Sequence, residues 1–175
     1  QLVGKKAAIP TGTATIRLSP ETKTVAPGTT FPVQIFFSTG GQPISAVTVD
    51  LSYPYADSQP PIIVSNLQLN ASLLATGEWS VPIKNFPSEN GLTRIRLAAA
   101  NTSLGGYSST TETLLATIIF QGNSPGTITV TFNPTESKIT VKSTGKDDLL
   151  TPASTGVYTV QSVSASPPPT TGVVP

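Results

Sequence analysis

The sequence predicts an all-β fold, a β-sandwich of about nine antiparallel strands in jelly-roll style. Three observations carry this. Apolar residues recur at every second position through most of the chain, the period of strands with one buried face. Seventeen prolines and fourteen glycines are spread between short runs, where chain reversals need them. Helical character is confined to about one turn at residues 70–75.

The elements follow in order. Ala14, Ile16 and Leu18 alternate with Thr15 and Arg17 until Ser19-Pro20 closes the run. Ala26-Pro27-Gly28 is a turn, after which Phe31, Val33, Ile35 and Phe37 line one face of a long strand, with Gln34 on the other. Gly40-Gly41 turns the chain into Val47, Val49, Leu51 and Tyr53, alternating with Ala46, Thr48, Asp50 and Ser52. Further strands are expected at 62–69, 79–86, 92–99, 114–121, 127–132, 138–142 and 156–163. Asn70 is placed to cap the short helix. Pro32 and Pro82 sit inside strand patterns, which assigns those strands to sheet edges or gives them bulges. The expected core comprises Ile16, Phe31, Val33, Ile35, Val47, Val49, Leu51, Ile95, Leu97, Ile118, Phe120, Ile128 and Val130.

Residues 13–163 form the patterned domain. Residues 1–12 read as an N-terminal extension. Residues 164–175, SASPPPTTGVVP, hold four prolines and read as an extended tail or linker. Because the chain starts at Gln1, any signal peptide or anchor is expected upstream of it.

Composition excludes several function classes. The 175 residues contain no histidine, cysteine or methionine, so imidazole and thiol catalysis, zinc sites and haem ligation are closed to the chain. No cofactor is expected. A formal charge of +1 argues against a nucleic-acid surface. No stretch approaches the roughly 20 apolar residues of a membrane helix, so membrane insertion is not expected within this chain. Charged residues make up 11%, about half the usual share, while Ser and Thr supply 46 positions. That composition leans toward an extracellular or cell-surface module without catalytic activity.

The run TATIRLSPETKTVAPGTTFPVQIFFSTGGQPISAVTVDLSY, followed by LLATIIFQGNSPGTITVTF and GVYTV, resembles the cohesin domain. The matching elements are the Val25–Gly28 turn, the Phe31–Phe37 strand, a Val47–Tyr53 strand ending in Ser-Tyr, Leu115–Phe120 and the closing Gly156–Val160 strand. The resemblance spans roughly residues 13–163 and implies a nine-stranded jelly roll, a fold that cohesins share with several cellulose-binding modules. It also implies protein–protein recognition through the outer face of the Val47–Tyr53 strand. Dockerin-binding cohesins often carry Asn-x-Asp there; this chain has Ala46 and Thr48. Tyr53 leads into Pro54-Tyr55 rather than Asp-Pro.

Candidate site residues fall into four groups. Thr48, Asp50, Arg94 and Arg96 occupy outward positions and form a candidate partner-binding face, with a solvated face and a weak cross-strand ion pair as the plainer expectation. Tyr53, Tyr55, Trp79 and Tyr107 are candidate sugar-stacking aromatics; Trp79 shares a face with Val81 and Ile83 and is expected in the core. Asp147-Asp148 and Asp57 lack the Asp-x-Asp-x-Asp spacing of a calcium loop. Asn70-Ala-Ser72 and Asn101-Thr-Ser103 match the glycosylation pattern.

Three functions are consistent with these features. The first is a surface module acting through a protein partner in adhesion or assembly. The second is a filament subunit whose tails join neighbouring copies of itself. The third is a carbohydrate-binding module that takes a polysaccharide.

Overall fold

The computed structural model describes residues 12–55, 59–150 and 153–163. The N-terminal extension up to residue 11, the Pro-rich tail 164–175 and Asp57 lie outside them. The fold is a β-sandwich of two packed sheets. One sheet has four strands: β1 (Thr15–Ser19), β3 (Thr30–Ser38), β9 (Thr113–Gly122) and β5 (Ile62–Leu69), in that order. The larger sheet runs β2 (Thr22–Val25), β12 (Gly156–Val160), β10 (Gly126–Phe132), β4 (Ile44–Pro54), β8 (Leu92–Asn101) and β6 (Trp79–Asn85). Two short strands complete it: β11 (Lys138–Val141) on β4 and β7 (Ser88–Glu89) on β8.

Every run of alternation expected from the sequence holds a strand. Two further strands carry no such signal: β2 buries only Val25, and β7 is two residues long. All strand pairs are antiparallel except β2 with β12, which is parallel. Alternation sets the facing of each strand. Phe31, Val33, Ile35 and Phe37 of β3 and Val47, Val49, Leu51 and Tyr53 of β4 all point between the sheets, 0–3% exposed. Every residue of the expected core is buried.

Two aromatic clusters mark the ends of the interior. Phe31, Phe120 and Tyr158 stack with centroids 5.5–5.7 Å apart, and Tyr53 meets Phe120 edge-on at 6.2 Å. Six residues further along β3, roughly 20 Å away, Phe37 packs with Trp79 and Tyr107. The buried hydroxyls are satisfied: Tyr53 donates to the Ile62 carbonyl at 3.0 Å and Tyr158 to the Pro20 carbonyl at 2.8 Å. Loss of solvent pushes the Tyr53 phenol up to about 12 and raises Tyr158 as well.

The helix α1 (Ala71–Ala75) forms where expected. Asn70 Oδ1 accepts from the Ser72 N–H at 3.0 Å, and its Nδ2 donates to the Leu114 carbonyl at 2.8 Å. No helix of the described residues is long and apolar enough to cross a membrane. The prolines behave differently from each other. Pro82 lies on the edge strand β6 beside a register shift between Ser80 and Ile83, with both expected features at once. Pro32 lies on β3, an inner strand, but β1 pairs only with residues 34–38 of it. At Pro32 the β1 side is therefore open, and the missing N–H costs no ladder bond.

Candidate functional site

Because Val47, Val49, Leu51 and Tyr53 turn inward, Ala46, Thr48, Asp50 and Ser52 stand on the outer face of β4. On β8 the inward Ile95, Leu97 and Ala99 leave Arg94, Arg96, Ala98 and Ala100 outside. Strand register arranges these side chains in rows. Thr140, Ala46, Ala100 and Ser80 form one row across β11, β4, β8 and β6. Lys138, Thr48, Ala98 and Ile83 form the next. Asp50, Arg96 and Asn85 follow, and then Ser52 beside Arg94. One end of the face is thus paved with small side chains and the other carries charge.

The register shift in β6 corrects one expectation. Ile83 lies opposite Ala98 on the outer face, whereas Trp79 lies opposite Asn101 and points inward, so the two do not share a side. Trp79 itself is in the core, 8% exposed.

Asp50 departs most from the sequence reading. It stands on the outer face as expected, yet it is only 2% exposed, so this part of the face is not simply solvated. Its Oδ2 accepts a hydrogen bond from Arg94 Nη2 at 2.5 Å, and Arg96 Nε lies 3.7 Å from the same oxygen. The two guanidinium groups form part of its cover. The turn from β10 to β11 adds to it: Asn133 N–H donates to the Asp50 carbonyl at 2.8 Å, and Glu136 lines the same depression as Asp50 and Arg96. β10 pairs with Leu51 and Ser52 while β11 pairs with residues 44–48, so neither reaches the backbone of Asp50. Ser137 fills the gap: its hydroxyl accepts from the Asp50 N–H and donates to the Asp50 carbonyl, both at 3.1 Å. Asp50 Oδ1 is buried with no hydrogen-bond partner.

Sequence reasoning placed Thr48, Asp50, Arg94 and Arg96 on one face, and the structure brings them together. It missed Ser137, Glu136, Ala98, Ala100 and Ile83. A signal for part of this was present in Ala98-Ala99-Ala100, since three alanines in succession are poor strand formers. Two of them supply the flat outer floor.

The candidate sugar-stacking aromatics do not assemble. Tyr53 and Trp79 are buried. Tyr107 packs edge-on against Trp79 at 5.3 Å and shares a hydrogen bond with Thr113. Tyr55 lies just beyond β4, its N–H donating to the Gly91 carbonyl. Tyr53 pairs with Thr93 and Trp79 with Asn101, eight residues apart on β8, or roughly 27 Å. No flat platform results.

The acidic loop also has a structural role. Asp147 Oδ1 accepts from the Ile139 and Leu149 N–H groups at 3.0 Å, and Asp148 Oδ2 accepts from the Thr13 hydroxyl. Among the described residues no three acidic side chains gather where they could hold a metal ion. Both glycosylation-pattern asparagines are engaged in the fold, Asn70 as the helix cap and Asn101 as a buried acceptor for Ser103.

No family model and no curated protein matches the sequence. Solved structures do match. A cohesin of Clostridium acetobutylicum, in complex with a dockerin, is 24% identical with a TM-score of 0.61, over 84% of this chain and all of that one. The cohesin of a type I cohesin–dockerin complex from Clostridium thermocellum is 13% identical with a TM-score of 0.64, over 91% of this chain and all of that one. A type III cohesin module from a cell-surface anchoring scaffoldin of Ruminococcus flavefaciens is 11% identical with a TM-score of 0.57, over 87% and 90%. The chain has a cohesin-like β-sandwich fold.

Proposed function

We propose that the chain is a non-catalytic module of the cell exterior that holds a protein partner on the outer face of β11, β4, β8 and β6, in adhesion or assembly. The observation that carries this reading is the face itself. Small side chains pave one end of it, and a buried carboxylate anchors two arginines at the other. The neighbouring cohesin structures, several of them solved with dockerins, support a recognition role on a fold of this kind. The polysaccharide alternative lacks an aromatic platform among the described residues. The filament alternative rests on tails outside them.

The test is site-specific photo-crosslinking. A benzoylphenylalanine placed at Ala98, on this face, is compared with one at Thr117, which points outward from the opposite sheet. Both are exposed to secreted and surface proteins of the source cells. Cross-links from position 98 and not from 117 are expected. Cross-links from 117 alone, or equally from both, would defeat the assignment.

A further inference from the structure

Resting on that reading of the face, we infer that the partner is acidic and presents a pair of carboxylates, about 6 Å apart, to Arg94 and Arg96. Several independent features of the face lead there.

The arginines are positioned in advance. Asp50 is held through its own backbone by Ser137 and Asn133, and it in turn holds Arg94 by a hydrogen bond and Arg96 by an ion pair. Long side chains ordered before binding lose little entropy on meeting a partner, which is where most surface ion pairs lose their benefit.

The guanidinium groups also keep donors to spare. Each has five N–H groups. Arg94 gives one to Asp50, and Arg96 sits too far from Asp50 for a hydrogen bond. Their side chains remain 37% and 39% exposed. One buried carboxylate thus serves two cations and leaves one positive charge in excess, with outward-facing donors suited to a second carboxylate. Of the other charged groups near the face, Lys138 stands beside Thr48 and Glu136 lines the depression beside Arg96, so they cancel.

Spacing narrows the chemistry. The contacting nitrogens of Arg94 and Arg96 approach the same Asp50 oxygen, at 2.5 and 3.7 Å, and so lie no more than about 6 Å apart. Carboxylates at i and i+4 of a helix sit at about the same separation. The Ala98, Ala100 and Ala46 floor lets a helix backbone approach the sheet while its acidic side chains reach the arginines. The same floor offers nothing for a sugar ring to stack on, which favours an acidic protein segment over an acidic polysaccharide.

The test uses the intact chain, labelled with nitrogen-15, and four probes. These are an alanine-based helical peptide with Glu at i and i+4, the same peptide with Gln, the same with Lys, and an oligogalacturonate. The Glu peptide is expected to shift the Nε–H signals of Arg94 and Arg96 and the amides of Ala98 and Ala100 in a saturable way. Affinity should fall about tenfold or more with the Gln peptide and with Arg96→Gln, and should recover in part with Arg96→Lys. Arg96→Gln breaks no hydrogen bond and is the variant expected to fold normally. Equal binding of the Gln peptide, no movement of the guanidinium signals at millimolar peptide, or tighter binding of the oligogalacturonate each overturns the inference. If cross-links from position 98 persist in Arg96→Gln at wild-type yield, the inference fails while the docking face stands. Loss of face-specific cross-linking in the wild-type chain defeats the docking face itself.

Discussion

The Asp50–Arg94 pair predicts an asymmetry between its two halves. Replacing Arg94 with Met keeps the aliphatic stem but leaves the Asp50 carboxylate, 3% exposed, with only the Arg96 contact at 3.7 Å. A buried charge deprived of its hydrogen bond costs about 2–4 kcal/mol. The partial exposure of both guanidinium groups, which lets water reach the site, places the expected loss near the lower figure. Asp50→Asn is milder. The amide oxygen still accepts from Arg94, and the new NH2 takes the place of Oδ1, which has no partner to lose. Both arginines are open to solvent, so neither is stranded. A loss of about 1 kcal/mol is expected. The double variant should be more stable than Arg94→Met alone, because the stranded charge is gone.

Urea unfolding at pH 7 measures all three. Trp79 is the single tryptophan and lies in the core against Phe37 and Tyr107, so its fluorescence reports loss of tertiary packing directly. The reasoning is refuted if Arg94→Met falls within about 0.5 kcal/mol of wild type, or if Asp50→Asn costs more than Arg94→Met.

Further predictions address facing, ionisation and capping. Val49→Ala removes two methyl groups from a fully buried inner position and should cost about 1–3 kcal/mol, whereas Thr48→Ala on the outer face should be near neutral; equal losses would mean that the facing of β4 is wrong. Tyr53 ionises near 12 in the folded chain, against about 10 unfolded, so its contribution is complete below about pH 10 and is lost as pH rises toward 12. Stability should therefore fall above pH 10, less steeply in Tyr53→Phe, and identical slopes for the two proteins between pH 10 and 11.5 would disprove the assignment. Asn70→Ala removes the helix cap and the bond to the Leu114 carbonyl and should cost about 1 kcal/mol in thermal or urea melts; an unchanged midpoint would show that neither bond matters.

What could be read from the sequence was whatever a single strand settles for itself. Alternation along β3 and β4 named the buried residues because each strand has one dry face, and a shift of one residue would expose all of them. The strands that escaped detection are those with no dry face of their own. β2 buries one residue in four and owes its place to β12, 135 positions away in sequence. The face of Ile83 was misread for a related reason: the extra residue at the Ser80–Ile83 shift reverses the side, and only the pairing with β8 reveals it. Tyr53 carried two opposed readings, core and sugar platform. The choice between them depended on Phe120, distant in sequence, and on the Ile62 carbonyl, nine positions on, neither of which the alternation of β4 reveals.

The same logic explains why the face was legible as a position and not as a chemistry. Its members are outward residues on β4 and β8, so alternation could collect Thr48, Asp50, Arg94 and Arg96. Part of their environment comes from a third place, the turn leading into β11, where Ser137 stands in for a missing strand neighbour, the Asn133 N–H donates to the Asp50 main-chain carbonyl and Glu136 lines the depression beside the carboxylate. A sheet interrupted between β10 and β11 would ordinarily leave the Asp50 backbone to water. Here the interruption is bridged by the Ser137 side chain, which satisfies the Asp50 backbone, while Arg94 and Arg96 contact its buried carboxylate. Burial then changes what the arginines can do. An exposed Asp50 would pair with them loosely and compete for the same donors that a partner needs. A buried Asp50 instead holds them while both side chains stay more than a third exposed, which is the arrangement that the proposed acidic partner requires.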